Sequence, residues 1–533
     1  MDNNWELVKE GLPDTVKVDA WLCGELEPGG KVGVDPRLIS TGDFRSLQSD
    51  LRQGDIDLVA VADNLVDLVW GAEKPRMPSE PIFPLPVKYA GQSWQNKINA
   101  LRSEMNSNRA KVLVLSALDQ IAWTFNLRGN DINYNPVFFS YAIICLNSVS
   151  LFIDEEKASK QVRDHLNAHS SLPNENQNGA IAEEEPLRVD IYPYHSVLDH
   201  LARLISENVS DTTDKIWLPG ESTNQAIAAV AGNKIIEKKS PVLQMKATKN
   251  SVELAGMKNA HLKDAVAHCE FLYWLENEIK KDYHNLTEIS CAEKFKELRQ
   301  HQDDYVSLSF ETISSVGAHG EMFLIDSGAQ YMDGTTDVTR TVCFQTPTDY
   351  QKHCFTLQLK GHLSLAMQKF PEGTSGMRLD TLCRMHLWQE GLEYQHGTGH
   401  GVGHFLNVHE GPMSIGLRGT HAATEGLFEN YVVTIEPGYY EDGQFGNRIE
   451  NVYALVTAQT KYNYQDRKFL TFEPLTFVPI QKAMLDPKIL TGAEIEWLNS
   501  YHEKCLENVG PLLQSSGKND VYKWLCEQTK PLG

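Results

Sequence analysis

The chain of 533 residues lacks the features that mark several common classes of protein. Its nine cysteines form no CxxC pair and leave one over, which argues against a disulfide framework and a cysteine-based zinc site and fits a reducing compartment. No stretch approaches the roughly 18 apolar residues that a membrane-spanning helix needs. The first residues, MDNNWELVKEGLPD, lack the basic and then apolar pattern of a signal peptide. The sequence therefore predicts a cytoplasmic protein with no membrane partner.

Positive charge is also scarce. Lysine and arginine number 49 against 71 aspartates and glutamates, a formal net charge of −22. A surface this acidic repels phosphate backbones, so we expect no nucleic-acid partner. The 41% hydrophobic and 23% charged residues are typical of an ordinary globular protein. The length suggests about three domains.

A proline-rich segment divides the first half of the chain. Five prolines between Pro75 and Pro86 exclude a helix or a central strand there and predict an extended linker. Apolar runs alternate with helical stretches on both sides of it. This pattern indicates two small α/β domains, at residues 1–74 and 87–246.

The remaining chain, residues 247–533, is predicted to be a third domain. It begins with a helix near Asn250, where Glu253 completes the spacing of a capping box. A polar stretch at 158–188, rich in Asn, Pro and Glu, is interpreted as a surface loop of the second domain.

Two carboxylates lie in a segment with the pattern of a β-hairpin. Asp326 ends an apolar run, and Asp337 lies in a Thr- and Val-rich run after the turn signal Asp333–Gly334. Either aspartate alone is better explained as a residue that caps a turn. The hairpin interpretation instead presents both carboxylates from neighbouring strands.

Histidines and glutamates accompany these aspartates. Five of the 18 histidines fall within 26 residues, at positions 396, 400, 404, 409 and 421, interleaved with glycines. Close backbone packing around glycine suits a site, although a His-rich surface loop is the alternative. Glu436 directly follows an apolar run, and Glu450 lies in a strand-like run, where a glutamate is unfavourable unless it is paired.

Two Asp, two Glu and at least one His form a donor set suited to Mn, Co or Zn. Because a carboxylate can bridge two cations, four of them with one imidazole can hold a pair. Such a pair can lower the pKa of a bound water from about 15.7 toward about 7 and polarise the carbonyl that it attacks. These residues predict a two-metal hydrolase, and the sequence has no GxSxG elbow for a serine nucleophile.

The sequence resembles the Xaa-Pro aminopeptidases (aminopeptidase P) of the pita-bread metallopeptidase superfamily, in particular the cytosolic three-domain form. The resemblance covers nearly the whole chain, and its motifs include WTFNLRG at 123–129, FETISSVG at 310–317, DGTTDVTRT at 333–341, HGTGHGVG at 396–403, VHEGP at 408–412, EPGYYEDG at 436–443 and RIENV at 448–452. It implies an α/β protein with two creatinase-like N-terminal domains, the first truncated, followed by a pita-bread α/β catalytic domain.

The resemblance also implies roles for individual residues. By motif match, the metal ligands fall on Asp326, Asp337, His400, Glu436 and Glu450. Glu436 would also move a proton to and from the attacking water, and Arg448 would orient Glu450. His409 would stabilise the tetrahedral intermediate or hold the substrate. His396 would line the pocket for proline.

The implied reaction is release of the first residue from a peptide with proline in second position, by a hydroxide that bridges two divalent metal ions. Mn²⁺ is the expected metal, with Zn²⁺ or Co²⁺ as alternatives, and a homodimer is implied. Two alternatives stay open. One is a prolidase-type dipeptidase with the same site chemistry, and the other is an inactive pita-bread protein that binds peptides or acts as a scaffold.

The chain departs from the family pattern at two places. Between Gly317 and Asp326 the family carries a longer segment with a substrate-binding histidine, and His319 lies too close to Asp326 to replace it. The shortening predicts the loss of a strand and could impair activity. The chain also begins inside the family's N-terminal domain, so residues 1–74 are expected to expose strand edges and apolar surface.

Overall fold

The computed structural model of the protein describes residues 4–9, 15–168, 187–281, 286–317, 322–416 and 421–533. The chain forms two compact units. Unit 1 consists of Met1–Phe83, Trp94–Leu127 and Phe139–Pro241, and unit 2 of Pro84–Ser93, Arg128–Phe138 and Val242–Gly533. Most of the polar stretch predicted as a loop, residues 169–186, lies outside the described residues.

Helices and strands alternate along the first part of the chain. In order they are α1 (Val18–Glu25), β1 (Lys31–Val34), α2 (Thr41–Arg52), β2 (Asp57–Ala60), α3 (Leu65–Trp70), β3 (Phe83–Pro84), α4 (Val87–Ala90), α5 (Trp94–Ser107), β4 (Ala110–Leu115), α6 (Leu118–Phe125), β5 (Leu127–Arg128), β6 (Tyr141–Cys145), β7 (Val149–Ile153), α7 (Lys160–His165), β8 (Asp190–Pro193), α8 (Val197–Asn208), β9 (Lys215–Trp217), α9 (Gln225–Ala231), β10 (Ile235–Ile236) and α10 (Pro241–Ala247).

The second part has longer helices and more antiparallel strands. Its elements are α11 (Ser251–Lys280), α12 (Glu288–Gln300), β11 (Tyr305–Leu308), β12 (Ile313–Val316), β13 (Met322–Ser327), β14 (Ala329–Tyr331), β15 (Gly334–Thr335), β16 (Val338–Cys343), α13 (Asp349–Ala366), β17 (Phe370–Pro371), α14 (Gly376–Gln389), β18 (Gly399–Gly401), β19 (Glu410–Ile415), α15 (His421–Thr424), β20 (Val432–Ile435), β21 (Gly438–Glu441), β22 (Phe445–Arg448), β23 (Asn451–Thr457), β24 (Phe469–Pro474), α16 (Gly492–Ser515) and α17 (Asn519–Gln528). Across the described ranges, each helix is too short or too polar to span a bilayer.

Unit 1 is built on a six-stranded mixed sheet in the order β10-β9-β4-β6-β7-β8. Strand β6 is antiparallel to both of its neighbours, β4 and β7, and the outer strands join these two in parallel. Val112 and Ile143 of the central strands pack with Leu201 of α8 and Ile227 of α9 in one core. The short apolar runs that the sequence predicts as strands form strands in the structure, because their side chains are buried in this core.

The beginning of unit 1 forms a separate, smaller sheet of two parallel strands, β1 and β2. Helix α2 covers it through Phe44 and Leu51, which pack on Ile56. Helix α3 buries no residue, and its Val69 is 89% exposed. This part of the chain therefore leaves apolar surface exposed, as the sequence predicts.

Within the described residues, unit 2 contains four antiparallel sheets. The first sheet beside the predicted ligands has the order β12-β13-β16, and the second has the order β17-β24-β23-β20-β18-β19. The other two are β11-β14-β15 and β21-β22. Helices α11, α12, α13, α16 and α17 share one apolar core with β13 and β16, whereas α14 and the end of α13 pack on β19, β20, β23 and β24. Helices thus cover the first and second sheets, and these two sheets approach each other where Glu450 N donates to Thr339 O at 3.2 Å.

The predicted hairpin is present with an insertion. Strands β13 and β16 are antiparallel neighbours, with Asp326 opposite Thr339 and Ser327 opposite Val338. Asp337 directly precedes β16. The short strands β14 and β15 lie between them along the chain, so both aspartates stand at the same end of the first sheet.

The first helix of the third predicted domain begins with the predicted capping box. Asn250 accepts hydrogen bonds from the backbone N–H groups of Val252 and Glu253, and the Glu253 side chain accepts from Asn250 N. Replacing Asn250 by Ala should lower the free energy of unfolding by about 1 kcal/mol. Asn250→Asp, which keeps the acceptor, should lower it less in the same urea titration. An Ala variant as stable as the Asp variant would contradict the role of this cap.

Candidate metal centre

Four of the five predicted ligands lie close together between the first and second sheets of unit 2. Asp337 Oδ2 and Glu436 Oε1 each lie 3.4 Å from His400 Nε2. Ligand atoms of Asp337, His400 and Glu450 lie within 4.8 Å of one another. Two ligands, each about 2.2 Å from one cation, can be at most about 4.4 Å apart. This spacing is therefore close to that of a coordination sphere.

Asp326, the fifth predicted ligand, is bound by an arginine. Arg448 Nη2 donates to Asp326 Oδ2. The other oxygen of this carboxylate, Oδ1, is buried and has no hydrogen-bond partner in the described part of the chain. A buried acceptor without a partner is unfavourable, so this oxygen has room for a further ligand. The four carboxylates and one imidazole, together with this oxygen, are therefore suitable ligands for a divalent cation.

Hydrogen bonds with Thr434 and Gly401 fix the positions of His400 and Glu436. His400 N donates to Thr434 Oγ1 at 3.0 Å, and Thr434 Oγ1 donates to Glu436 Oε1 at 3.3 Å. His400 Nδ1 lies 2.9 Å from the carbonyl oxygen of Gly401. Because that carbonyl can only accept, Nδ1 carries the proton, and Nε2 faces the carboxylates as the candidate ligand atom.

Glycines on either side of His400 allow the strands to approach closely. A Cβ on Gly399 would lie 2.1 Å from the carbonyl oxygen of Thr434, and one on Gly401 would lie 2.3 Å from that of Glu410. Any larger residue would push β18 away from β19 and β20. The interleaved glycines therefore serve close packing, as the sequence predicts.

Burial and mutual repulsion dominate the electrostatics of the site. Burial raises the pKa of Glu436 to about 7, and the charge of Asp337 adds to the shift. Burial and the same neighbour raise the pKa of Glu450 well above its ordinary value. Burial lowers the pKa of His400, but the hydrogen bond to Asp337 and the charge of Glu436 outweigh it and raise that pKa to about 9. Bound cations would relieve this concentration of negative charge.

The site opens into a cavity of 730 Å³. Its lining includes His396, His400, His409 and Glu436. The rings of His400 and His409 meet edge to face with centroids 4.2 Å apart. Burial lowers the pKa of His396 and of His409 to about 4, so both imidazoles are neutral at pH 7 and can each donate one hydrogen bond.

Arg448 reaches Glu450 through a threonine. Its Nε donates to Thr339 Oγ1 at 3.1 Å, and the Thr339 hydroxyl donates to Glu450 Oε2 at 2.7 Å. Its Nη1 donates to the hydroxyl of Tyr440 at 2.5 Å, and that hydroxyl lies 2.9 Å from His396 Nε2. Arg448 therefore contacts Asp326 directly and Glu450 through Thr339.

Sequence reasoning missed Thr339, Thr434 and Tyr440. Thr339 follows Asp337 by two residues, and Thr434 precedes Glu436 by two. Residues two apart on a strand share a face, so the period of a strand could have identified both threonines. Nothing in the sequence pattern indicated the contact of Tyr440 with His396.

Three further histidines lie in the motif-bearing segments, namely His319, His404 and His421. His404 is buried and does not line the cavity. His421 begins α15. His319 lies outside the described residues, and the strands on either side of it, β12 and β13, pair up to Val316 and Phe323.

Three family models match successive parts of the chain. They are the Creatinase/Prolidase N-terminal domain at residues 73–253, Metallopeptidase family M24 at 255–457 and the C-terminal region of peptidase M24 at 468–532. The chain is 40% identical over 554 residues to a probable Xaa-Pro aminopeptidase P of Arthroderma gypseum, covering 100% of this chain and 84% of that protein.

Solved structures agree with this match. The X-prolyl aminopeptidase of Caenorhabditis elegans, described as a cytosolic enzyme with a di-nuclear active site, is 40% identical with a TM-score of 0.91, covering 100% of this chain and 86% of that one. The Xaa-Pro dipeptidase of Bacillus anthracis is 18% identical with a TM-score of 0.54, covering 73% of this chain and 99% of that one, and shows the fold alone.

The fold and the carboxylate–histidine centre define a metallopeptidase of the M24 type. The identity over the whole chain shows that it belongs to the Xaa-Pro aminopeptidase P family. The predicted α/β class, with a creatinase-like N-terminal part and a pita-bread catalytic domain, is confirmed, as is the prediction of a metalloaminopeptidase. The dipeptidase and the inactive scaffold are not favoured.

Proposed function

We propose that the protein releases the N-terminal residue from peptides with proline in second position, with two divalent metal ions as cofactors. The observation that carries this proposal is the approach of Asp337, His400, Glu436 and Glu450 beside one cavity. The 40% identity to Xaa-Pro aminopeptidases supports the choice of substrate, and the di-nuclear site of the C. elegans enzyme supports the number of metals.

Asp326, Asp337, His400, Glu436 and Glu450 would hold the metals in this proposal. When bound, the two cations supply a water of lowered pKa and polarise the scissile carbonyl. We propose Mn²⁺ because four carboxylates and a single imidazole form a hard donor set, with Zn²⁺ or Co²⁺ as alternatives.

Glu436 is the proposed acid and base. Its carboxylate lines the cavity, so it can reach both the attacking water and the leaving nitrogen of a bound peptide. Thr434 holds one of its oxygens and leaves the other for this work.

His409 and His396 are proposed to bind the substrate. A neutral His409 can donate a hydrogen bond to the oxygen on which charge develops as the carbonyl is attacked. His396 lies on the cavity wall, where Tyr440 holds its Nε2, and its ring can pack on the proline. Arg448 is proposed to orient Glu450 through Thr339 and to hold Asp326.

Two further proposals concern the protein in the cell. The C. elegans enzyme is described as cytosolic, and we propose the cytoplasm for this protein as well.

We also propose a homodimer. Light scattering after size exclusion would give twice 60.0 kDa for the dimer and would overturn this proposal at 60.0 kDa.

The substrate class is tested by comparing a proline-second tripeptide with an Xaa-Pro dipeptide, each with and without added Mn²⁺. We expect manganese-dependent release of the first residue from the tripeptide and slower cleavage of the dipeptide. Preference for the dipeptide would identify a prolidase-type enzyme.

A protein that binds metal but cleaves neither peptide would point to the shortened segment before Asp326, and a version with the longer segment should then recover activity.

Affinity for Mn²⁺ is expected to fall as the pH is lowered. Burial raises the pKa of Glu436 to about 7, and the carboxylates hold that of His400 at about 9 although burial opposes them, so both groups are protonated at pH 6. A cation must displace these protons, and each weakens binding by up to about tenfold per pH unit below its pKa. Calorimetric titration of the metal-free protein should therefore show at least about tenfold tighter binding at pH 8 than at pH 6. Affinity independent of pH would contradict these two ligands.

A further inference from the structure

Two lysines and a glutamate form a buried charged cluster in unit 2. Lys246, Lys249 and Glu410 are each at most 2% exposed. Lys246 Nζ donates to Glu410 Oε2 at 2.5 Å, and Lys249 Nζ donates to Glu410 Oε1. A separate ammonium group therefore holds each oxygen of the carboxylate, and the side chain cannot rotate without breaking a charged contact.

Such a cluster is a poor way to gain stability alone. Removing three charges from water is unfavourable, and apolar residues of similar volume often stabilise a protein as well or better. The geometry that charged hydrogen bonds impose is a separate benefit, because they fix both distance and direction. Glu410 is next to His409 in the sequence, which indicates that this geometry controls the position of His409.

Glu410 directly follows His409, which lines the cavity and lies edge-on to His400. His409 is exposed whereas Glu410 is buried, so these two neighbouring side chains point in different directions. The clamp formed by Lys246 and Lys249 therefore holds the backbone at Glu410 from its buried side, while the imidazole of His409 faces the cavity.

Strand pairing fixes this backbone less well than in a regular sheet. Gly401 of β18 pairs with Glu410, but the preceding residue, His400, pairs with Ser414. The three residues Gly411–Met413 thus have no partner on β18, and the regular ladder of β19 starts only after them. Next to His409, the ladder between β18 and β19 consists of the single pair at Glu410, so whatever holds Glu410 also affects the position of His409.

We propose that Lys246 and Lys249 are positioning residues that act through Glu410 to hold His409 against His400. This inference rests on the proposed role of His409 in the reaction. It assigns to two lysines, 161 and 164 residues away in sequence, an effect on turnover without contact with substrate or metal.

The test is a cycle of Lys249→Met and His409→Ala, measured as kcat and KM for a proline-second tripeptide with Mn²⁺. In the presence of His409, we expect Lys249→Met to lower kcat/KM by about 10- to 100-fold with unchanged metal content. In the His409→Ala background, we expect the same substitution to lower it by less than about threefold, because the residue through which Lys249 acts is gone. Lys360→Met, which breaks the lysine–glutamate pair with Glu494 elsewhere in the unit, is the matched control and should give the same small change in both backgrounds.

The two hypotheses fail in different ways. Equal losses from Lys249→Met in both backgrounds would overturn the inference and leave the role of His409 standing. An unchanged kcat/KM for His409→Ala alone would overturn the role of His409 and, with it, the inference. If Lys249→Met does not fold, Glu410→Gln, which keeps the shape of the side chain, takes its place in the same cycle, and the same outcomes decide.

Discussion

Asp337→Asn is expected to remove bound metal and activity together. The substitution keeps the shape of the side chain but takes away one anionic oxygen that lies 3.4 Å from His400 Nε2. Loss of a partner outside the coordination sphere already lowers activity by about 10- to 100-fold, so loss of a ligand should lower kcat/KM by more than about 100-fold. Glu450→Gln should have the same effect. Metal content by elemental analysis and turnover of a proline-second tripeptide check both variants.

Metal-free stability separates this loss from misfolding. Burial and Asp337 raise the pKa of Glu450 well above its ordinary value, so the metal-free protein disfavours the charged form of this side chain, and the neutral Gln keeps its shape. Glu450→Gln should therefore leave the Tm of the metal-free protein unchanged and abolish the rise in Tm on adding Mn²⁺. Glu441→Gln, a change five residues after Glu436 and outside the cavity lining, is the control that should keep that rise. Full activity in either ligand variant would contradict the assignment.

His409→Ala is expected to lower kcat by about 100- to 1,000-fold, the typical effect of removing one donor to a developing oxyanion. Its metal content should remain that of the unsubstituted protein, because the role proposed for His409 is binding of substrate and not of metal. His386→Gln is the matched control, since His386 bonds Ser364 and does not line the cavity. The role of His409 is wrong if His409→Ala keeps its kcat, or if it loses metal as the ligand variants do.

Local patterns in the sequence predicted the parts of the fold that depend on neighbouring residues. The capping box at Asn250 needs only a side chain and a backbone three residues on. The hairpin that carries Asp326 and Asp337 follows from strand periodicity and a turn signal. The glycines beside His400 indicated close strands because only glycine permits such an approach.

Such local patterns do not predict contacts between segments that are distant in the sequence. Each lysine that holds Glu410 is more than 160 residues away from it in sequence, and neither lies in a recognisable motif. Tyr440 meets His396 only because β21 folds back beside β22, which carries Arg448. The strands β14 and β15 inside the predicted hairpin depend on pairing with β11 and with each other, so the local alternation does not reveal them.

The most direct test of the central claim is anomalous diffraction at the manganese edge from crystals grown with Mn²⁺. The proposed two-metal centre predicts two anomalous peaks in the catalytic unit, both enclosed by Asp326, Asp337, His400, Glu436 and Glu450. It also predicts that Asp326 Oδ1, which has no hydrogen-bond partner among the described residues, contacts one of them. Peaks at other residues, or none with saturating Mn²⁺, would contradict the proposed centre.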